Sequence, residues 1–291
     1  MIRKSVIIFL LPSLTLIFSF VIYPTVYTIW LSFVDEEGHF VGLANYFKVL
    51  GSRDILDLSR FLHRCPPWGS LIHNIIWITI HLPLSLLLGL LFAVVLRNVK
   101  GATVLRSIIF LGMVMPMVVG GWMVRFMFDK NLGIVNFFLR LLGLRWLSNK
   151  TWTVWPEYSL LATILGGVWV WTGFSMVIYM AALAAIPREY YEAAEIDGAS
   201  SIQKFLHITL PLLKPATLVI VIMSVLYELK IFDIVFVATR GGPGGASNVL
   251  ALQMYYDAFR AFKFNEAAVI AVLLTLLTLG PAIYIARSAV R

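Results

Sequence analysis

Three charges, Glu228, Lys230 and Asp233, stand in an otherwise apolar stretch of the chain around residues 212–237. Near the centre of a lipid-embedded helix each costs roughly 2.5–3.5 kcal/mol, so such residues face a partner, a bundle interior or a wet cavity. Lys230 and Asp233 are three apart and can pair on one helix face. Glu228 lies on another stripe, Ser224–Glu228–Ile231, spaced i, i+4 and i+7, so it can look into a pathway where a carboxylate accepts from hydroxyl groups. Read as titrating groups, the same three charges would instead suit a proton relay in a self-sufficient secondary transporter. That reading calls for internal hydropathy symmetry with interrupted helices, and none stands out.

Other chemistries find little support. The histidines His39, His63, His73, His81 and His207 show no H-E-x-x-H spacing, and no G-x-S-x-G elbow occurs, so no catalytic residue is expected. His73 and His81 are eight apart on roughly one helix face, but two histidines alone make a poor metal site, and no metal is expected. Direct use of ATP requires a G-x-x-x-x-G-K-[ST] loop, which is missing. The run Gly241-Gly242-Pro243-Gly244-Gly245 lacks the lysine and reads as a turn. The single cysteine, Cys65, rules out an intrachain disulfide and a Cys-rich metal site.

The elements that carry these residues must live in lipid. Of 291 residues, 60% are hydrophobic and 13% charged, about half the charged share of a soluble domain. Six stretches are long enough to cross an apolar layer about 30 Å thick: 5–34, 71–96, 104–128, 158–186, 212–237 and 267–286. The first follows Arg3 and Lys4 but is longer than a signal's apolar region and lacks a small-x-small site, so it reads as a retained helix. With the amino terminus inside, the cytoplasmic segments carry Lys and Arg at about twice the density of the outer ones, although the outer loops are not poor in them. The expectation is an all-α polytopic protein of the cell membrane. It has six transmembrane helices, both termini cytoplasmic, and a single domain over residues 1–291. Aromatic outer stretches at 133–155 and 250–264 read as helices lying at the interface. The net charge of +8 is explained by topology and needs no nucleic acid.

One cytoplasmic connector, residues 187–211, has a pattern of its own. Pro187 stops the fourth span and opens a new helix, acidic residues crowd its start, and Gly198 can supply the left-handed residue that ends it. Ser200 with Gln203 forms a capping-box pattern, so a second helix should run over 201–209 before Leu210-Pro211 turns the chain back to the membrane. Tyr190, Tyr191 and Ile196 offer apolar anchors beside the small Ala193, Ala194 and Ala199, which suits docking of another protein. Its plain alternative is a connector with a solvated charged face.

Glu192-Ala193-Ala194, Asp197-Gly198-Ala199 and Ile208-Thr209-Leu210-Pro211 resemble the EAA loop of permease subunits in binding-protein-dependent ABC importers. Pro116, Trp122, Phe128, Gly133 and Asn136 look like the third-span signature of the carbohydrate branch, and Phe232-Asp233 with Thr239-x-Gly241-Gly242-Pro243 looks like its fifth-span ending. The chain departs from that pattern at Arg240 and in the outer Cys65-Pro66-Pro67-Trp68.

The resemblance implies that residues 187–211 form the coupling helix, with Glu192, Ala193, Ala194, Asp197 and Gly198 meeting a separate ATPase. The chain itself would bind no cofactor, because ATP and Mg are used by the ATPase subunits. Implied partners are a second, related permease in a heterodimer, two ATPase subunits and an extracytoplasmic sugar-binding protein. Alignment on the family places Ser224 and Glu228, and on the fourth span Gly167, Val170, Trp171 and Phe174, at sugar-contacting positions. Helix packing is the plainer reading of Trp171 and Phe174. Glu228 would repel an anion such as glycerol phosphate, which favours a neutral mono- or oligosaccharide.

Overall fold

The computed structural model describes residues 4–61, 66–97 and 99–289. Arg3, His63, Cys65 and Arg291 lie outside them. The chain is helical, and among the described residues extended pairing is limited to a bridge between Val34 and Phe40.

The first span is α1 (Lys4–Ile17), a π turn (Phe18–Ile22) and α2 (Tyr23–Leu31), continuous because the joining residues keep helical dihedrals. Thr15, Thr25 and Thr28 donate to carbonyls four residues back, so their hydroxyls cost nothing in lipid. Two short outer helices, α3 (Ala44–Leu50) and α4 (Leu58–Phe61), lead to the second span, α5 (Ser70–Val95).

The third stretch is not the single straight helix that its hydropathy suggests. It divides into α6 (Ala102–Val114) and α7 (Met117–Met127), which meet at 110°. Pro116 is the cause: its ring pushes the preceding residue out of the helical region, and Met115 sits at φ −71°, ψ 144°. Between α7 and the fourth span, α10 (Pro156–Ala184), lie α8 (Ile134–Leu141), α9 (Arg145–Ser148) and a 3₁₀ turn (Trp152–Val154).

The connector forms α11 (Arg188–Ile196) and α12 (Ser201–Lys204), which runs on through a π turn (Phe205–Thr209) into α13 (Leu210–Leu212). Pro187 is the N-cap of α11, not its first helical residue. Leu210-Pro211 does not turn the chain; the 59° bend falls between Leu212 and Lys214.

The fifth stretch also departs from expectation. After α14 (Lys214–Leu229) the helix stops, and α15 (Asp233–Ala238) starts afresh from Phe232 at φ −138°, ψ −62°. Lys230 and Asp233 therefore do not share a helix face. Both are exposed, and no ion pair joins them. An outer helix, α16 (Leu250–Phe259), precedes the last span, α17 (Phe264–Ala289). Among the described residues four helices are long and apolar enough to cross a membrane, and up to six spans result if each bent pair, α6/α7 and α12–α13/α14, counts as one.

Two spans form the spine. α5 and α10 run parallel, with Trp77 against Gly167 and Gly89 against Ser175. A Cβ on Gly167 would lie 2.7 Å from the Trp77 ring, so only glycine allows this approach. α14 runs antiparallel to α10, as its pairs Ser224–Trp171 and Thr217–Tyr179 require. Apolar residues form one cluster toward the α15 end of the bundle, including Trp77, Ile164 and Ile231, and another toward the α11 end, including Met176, Tyr179 and Ile220. The residues between these clusters on α5, α10 and α14 are where polar side chains gather.

Candidate functional site

Glu228 ends α14 and is fully buried, as is His81 on α5; the imidazole Nδ1 lies 2.6 Å from the carboxylate Oε1. That single short contact makes each side chain the other's partner across the two helices. A second residue of α5 secures the same turn: Asn74 donates from Nδ2 to the Glu228 carbonyl (3.0 Å) and accepts from the Leu250 N–H through Oδ1 (2.8 Å). His73 Nδ1 meets the Asn248 carbonyl at 2.7 Å, and its Nε2 accepts from the Trp68 N–H at 3.2 Å. His73, Asn74 and His81 thus tie the broken fifth span and the strand of chain before α16 to α5. In an apolar medium such unmade bonds would be expensive, which gives this arrangement its definition.

Ser224, one turn earlier, accepts from Trp171 Nε1 at 2.7 Å. The Trp171 ring stacks on Tyr227 with centroids 4.1 Å apart and planes 15° from parallel, and it also meets Phe174 at 5.0 Å. Tyr227 in turn lies 6.1 Å from the His81 ring and donates to Met117 Sδ at 3.7 Å, where α7 begins after the Pro116 bend. Two buried atoms in this group lack a hydrogen-bond partner within the chain: Glu228 Oε2 and His81 Nε2.

Trp171, Phe174, Ser224 and Glu228 are therefore brought together. Gly167, Val170 and Ile231 are buried in packing; Gly167 receives Trp77, and Val170 backs onto Gly112. Only Trp171 and Phe174 of the seven reach partway to a surface. The stripe reading of α14 passed over Tyr227, which sits at i+3 from Ser224 and whose signal was its neighbour Glu228. It also treated His81 only as half of a weak histidine pair. Glu228 meets His81 across the helix pair, a partner that the spacing of α14 does not reveal.

The third-span signature residues have local roles. Phe128 packs on Trp152 (5.3 Å), and Asn136 Nδ2 donates to the Asp129 and Lys150 carbonyls, both at 2.9 Å. Backbone N–H groups of Leu132 and Asn131 hold the Asp129 carboxyl below its ordinary value of 3.8. Arg240 closes α15 in a left-handed conformation (φ 53°), its carbonyl accepting from the Tyr256 hydroxyl at 2.8 Å.

At the other end, α11 and α12 make a rigid pair. Gly198 is left-handed (φ 76°), the Ala199 N–H bonds the Ala194 carbonyl at 2.9 Å, and Ser200 and Gln203 exchange both capping-box bonds. Lys204 Nζ lies 2.6 Å from Glu195 Oε1, and the Tyr191 and Thr209 hydroxyls meet at 2.9 Å. Glu192, Ala193, Asp197 and Gly198 lie exposed on this surface with Ala194 partly covered, and Ile196 is 88% exposed. A cavity of about 300 Å³ opens beside them, lined by Ala194, Asp197, Gly198, Gln203 and His207 among others.

Residues 85–290 match the family described as the inner membrane component of binding-protein-dependent transport systems. A probable ABC transporter permease protein of Pyrococcus horikoshii is 56% identical over 281 residues, covering 96% of each chain. A trehalose/maltose transport system permease protein of Thermococcus litoralis is 34% identical over 278 residues, 93% of this chain and 88% of that one. In fold, the chain is similar to the crystal structure of a bacterial ABC transporter involved in import of the acidic polysaccharide alginate. The TM-score is 0.75 at 20% identity, with 97% of this chain and 95% of that one covered.

Proposed function

Because the chain belongs to the family of inner membrane components of binding-protein-dependent transport systems, a multi-pass membrane subunit without its own ATPase, we propose that it forms half of the translocation pathway for a neutral mono- or oligosaccharide. The observation that carries the proposal is the cluster of Trp171, Phe174, Tyr227, Ser224 and Glu228 between the two apolar clusters of the bundle. Aromatic faces suit the C–H faces of a sugar, while the serine and the carboxylate suit its hydroxyl edge. The name of the Thermococcus litoralis relative supports the substrate class.

The remainder of the machine follows from that role. A second, related permease completes the pathway, two ATPase subunits bind ATP and Mg, and an extracytoplasmic sugar-binding protein delivers the substrate. Both termini lie in the cytoplasm, and residues 1–291 act as one domain. Glu192, Ala193, Ala194, Asp197 and Gly198 contact the ATPase, and the α11–α12 pair carries its closure to the spans through the bend before Lys214. Rocking of the spans then opens the site alternately to each side. A proton-coupled transporter using Glu228, Lys230 and Asp233 is disfavoured by the family, and Glu228 is engaged with His81 while the other two are exposed.

Co-purification from the native membrane tests the assembly: an ATPase should accompany the chain, and its hydrolysis should rise on adding sugar-loaded binding protein. Uptake by the chain alone, driven by a pH gradient in vesicles, would overturn it.

A further inference from the structure

Glu228 is the one buried carboxylate of the cluster, and its two oxygens are treated differently. Oε1 is held at 2.6 Å by His81 Nδ1, while Oε2 is equally buried and has no partner in the chain. The backbone at the same residue has its own tie, from Asn74 Nδ2 to the Glu228 carbonyl, so α14 stays joined to α5 by a bond that does not pass through the imidazole. What the imidazole does fix is the carboxylate itself. A buried acceptor left open beside Trp171, Tyr227 and Ser224 is suited to a hydroxyl donor that arrives only when the pathway opens.

We infer that His81 is a positioning residue of the sugar site: by holding Oε1 of Glu228 it presents Oε2 to a sugar hydroxyl. The inference rests on the proposed sugar site. It goes beyond it by assigning a role to a residue on α5, a helix that holds none of the other sugar-contacting residues. His81 touches no substrate; it acts through Glu228, as a supporting residue acts on a binding group.

The test uses the complete transporter in membrane vesicles, with labelled maltose, trehalose, lactose and glucose as probes. For the sugar taken up best, His81→Leu is expected to raise KM by roughly tenfold or more, the scale of a lost charge-assisted hydrogen bond, with Vmax expressed per assembled complex. His81→Asn, whose Nδ2 takes the place of the imidazole Nδ1, is expected to stay within about threefold of the wild type, and His81→Gln, whose amide lies one methylene farther out, to lie between Asn and Leu. An unchanged KM, with Vmax falling only in step with the amount of complex, would show a purely structural histidine and overturn the inference. If His81→Leu does not assemble, the Gln and Asn variants decide, and equal KM values overturn it. Trp171→Ala and Glu228→Ala separate the two levels: if neither changes KM, or the wild type takes up none of the four sugars, the sugar site itself is wrong. If both raise KM and His81→Leu does not, only the role of His81 fails.

Discussion

Trp171 carries two interactions at once, the bond to Ser224 and the stack on Tyr227, so it is the residue whose loss tells most about the cluster. Trp171→Ala removes both and should lower uptake at limiting sugar by about thirtyfold, each interaction contributing on the order of 1 kcal/mol. Gly167→Ala separates packing from binding: its Cβ would press on Trp77, so the melting temperature should fall by a few degrees, the effect of about 1–3 kcal/mol of overpacking. Asp129 offers a pH-dependent counterpart outside the membrane. Its lowered pKa means the folded state favours the carboxylate, so its contribution is fully present above about pH 4 and lost as the pH falls through the folded-state value. Asp129→Ala should therefore melt earlier than the wild type at pH 7, and the gap should close in acid. Spacing marked the right turn of α14, because Ser224 and Glu228 stand out chemically against apolar neighbours. It could not show what Glu228 faces, since His81 is 147 positions away and no local pattern encodes that pairing.

Elements were legible where composition and period agree, and less so where direction changes. The connector was readable nearly residue by residue, since Gly198, Ser200 and Gln203 act through their immediate neighbours. The bend at Met115–Pro116 was signalled by its proline but hidden by an apolar run that a hydropathy window sees as one span. The break at Lys230–Phe232 has neither glycine nor proline to announce it; the clips from Asn74 and His73 onto Glu228 and Asn248 supply the reason, and they are tertiary. Gly198→Trp tests the coupling pair as an element. No atom lies within 4 Å of a Cβ built there, so the side chain would project from the exposed surface, and the strain of a left-handed residue costs only about 1–2 kcal/mol. Assembly should persist while sugar no longer stimulates ATP hydrolysis and uptake falls to background. Wild-type uptake in that variant would remove α11 and α12 from the coupling path.

At the scale of the whole molecule, the packed spine and the first span behave differently. The most apolar stretch of the fourth span is 61% buried within the chain, whereas none of the corresponding stretch of Phe9–Leu31 is. The outer end of that first helix is fastened to the bundle by Asn265, whose Nδ2 donates to the carbonyls of Leu31 (3.1 Å) and Val34 (2.7 Å). Hydrophobicity drives such a helix into lipid but does not choose which way it points; the Lys and Arg balance of the short segments does, and here it is only moderately biased. The proposed coupling role sets the expected direction, since α11 and α12 would meet an ATP-hydrolysing partner only from the cytoplasm. Single cysteines in a Cys65→Ser background read this directly. Lys263→Cys, exposed where α16 gives way to α17, should react with a membrane-impermeant maleimide in intact cells. Ile196→Cys should react only once the membrane is opened, and more slowly in the assembled transporter than in the chain alone, because Ile196 would be covered by the ATPase. Labelling of Ile196→Cys from outside would reverse every span and take the coupling pair away from ATP, and no reading of the loop sequence would survive it.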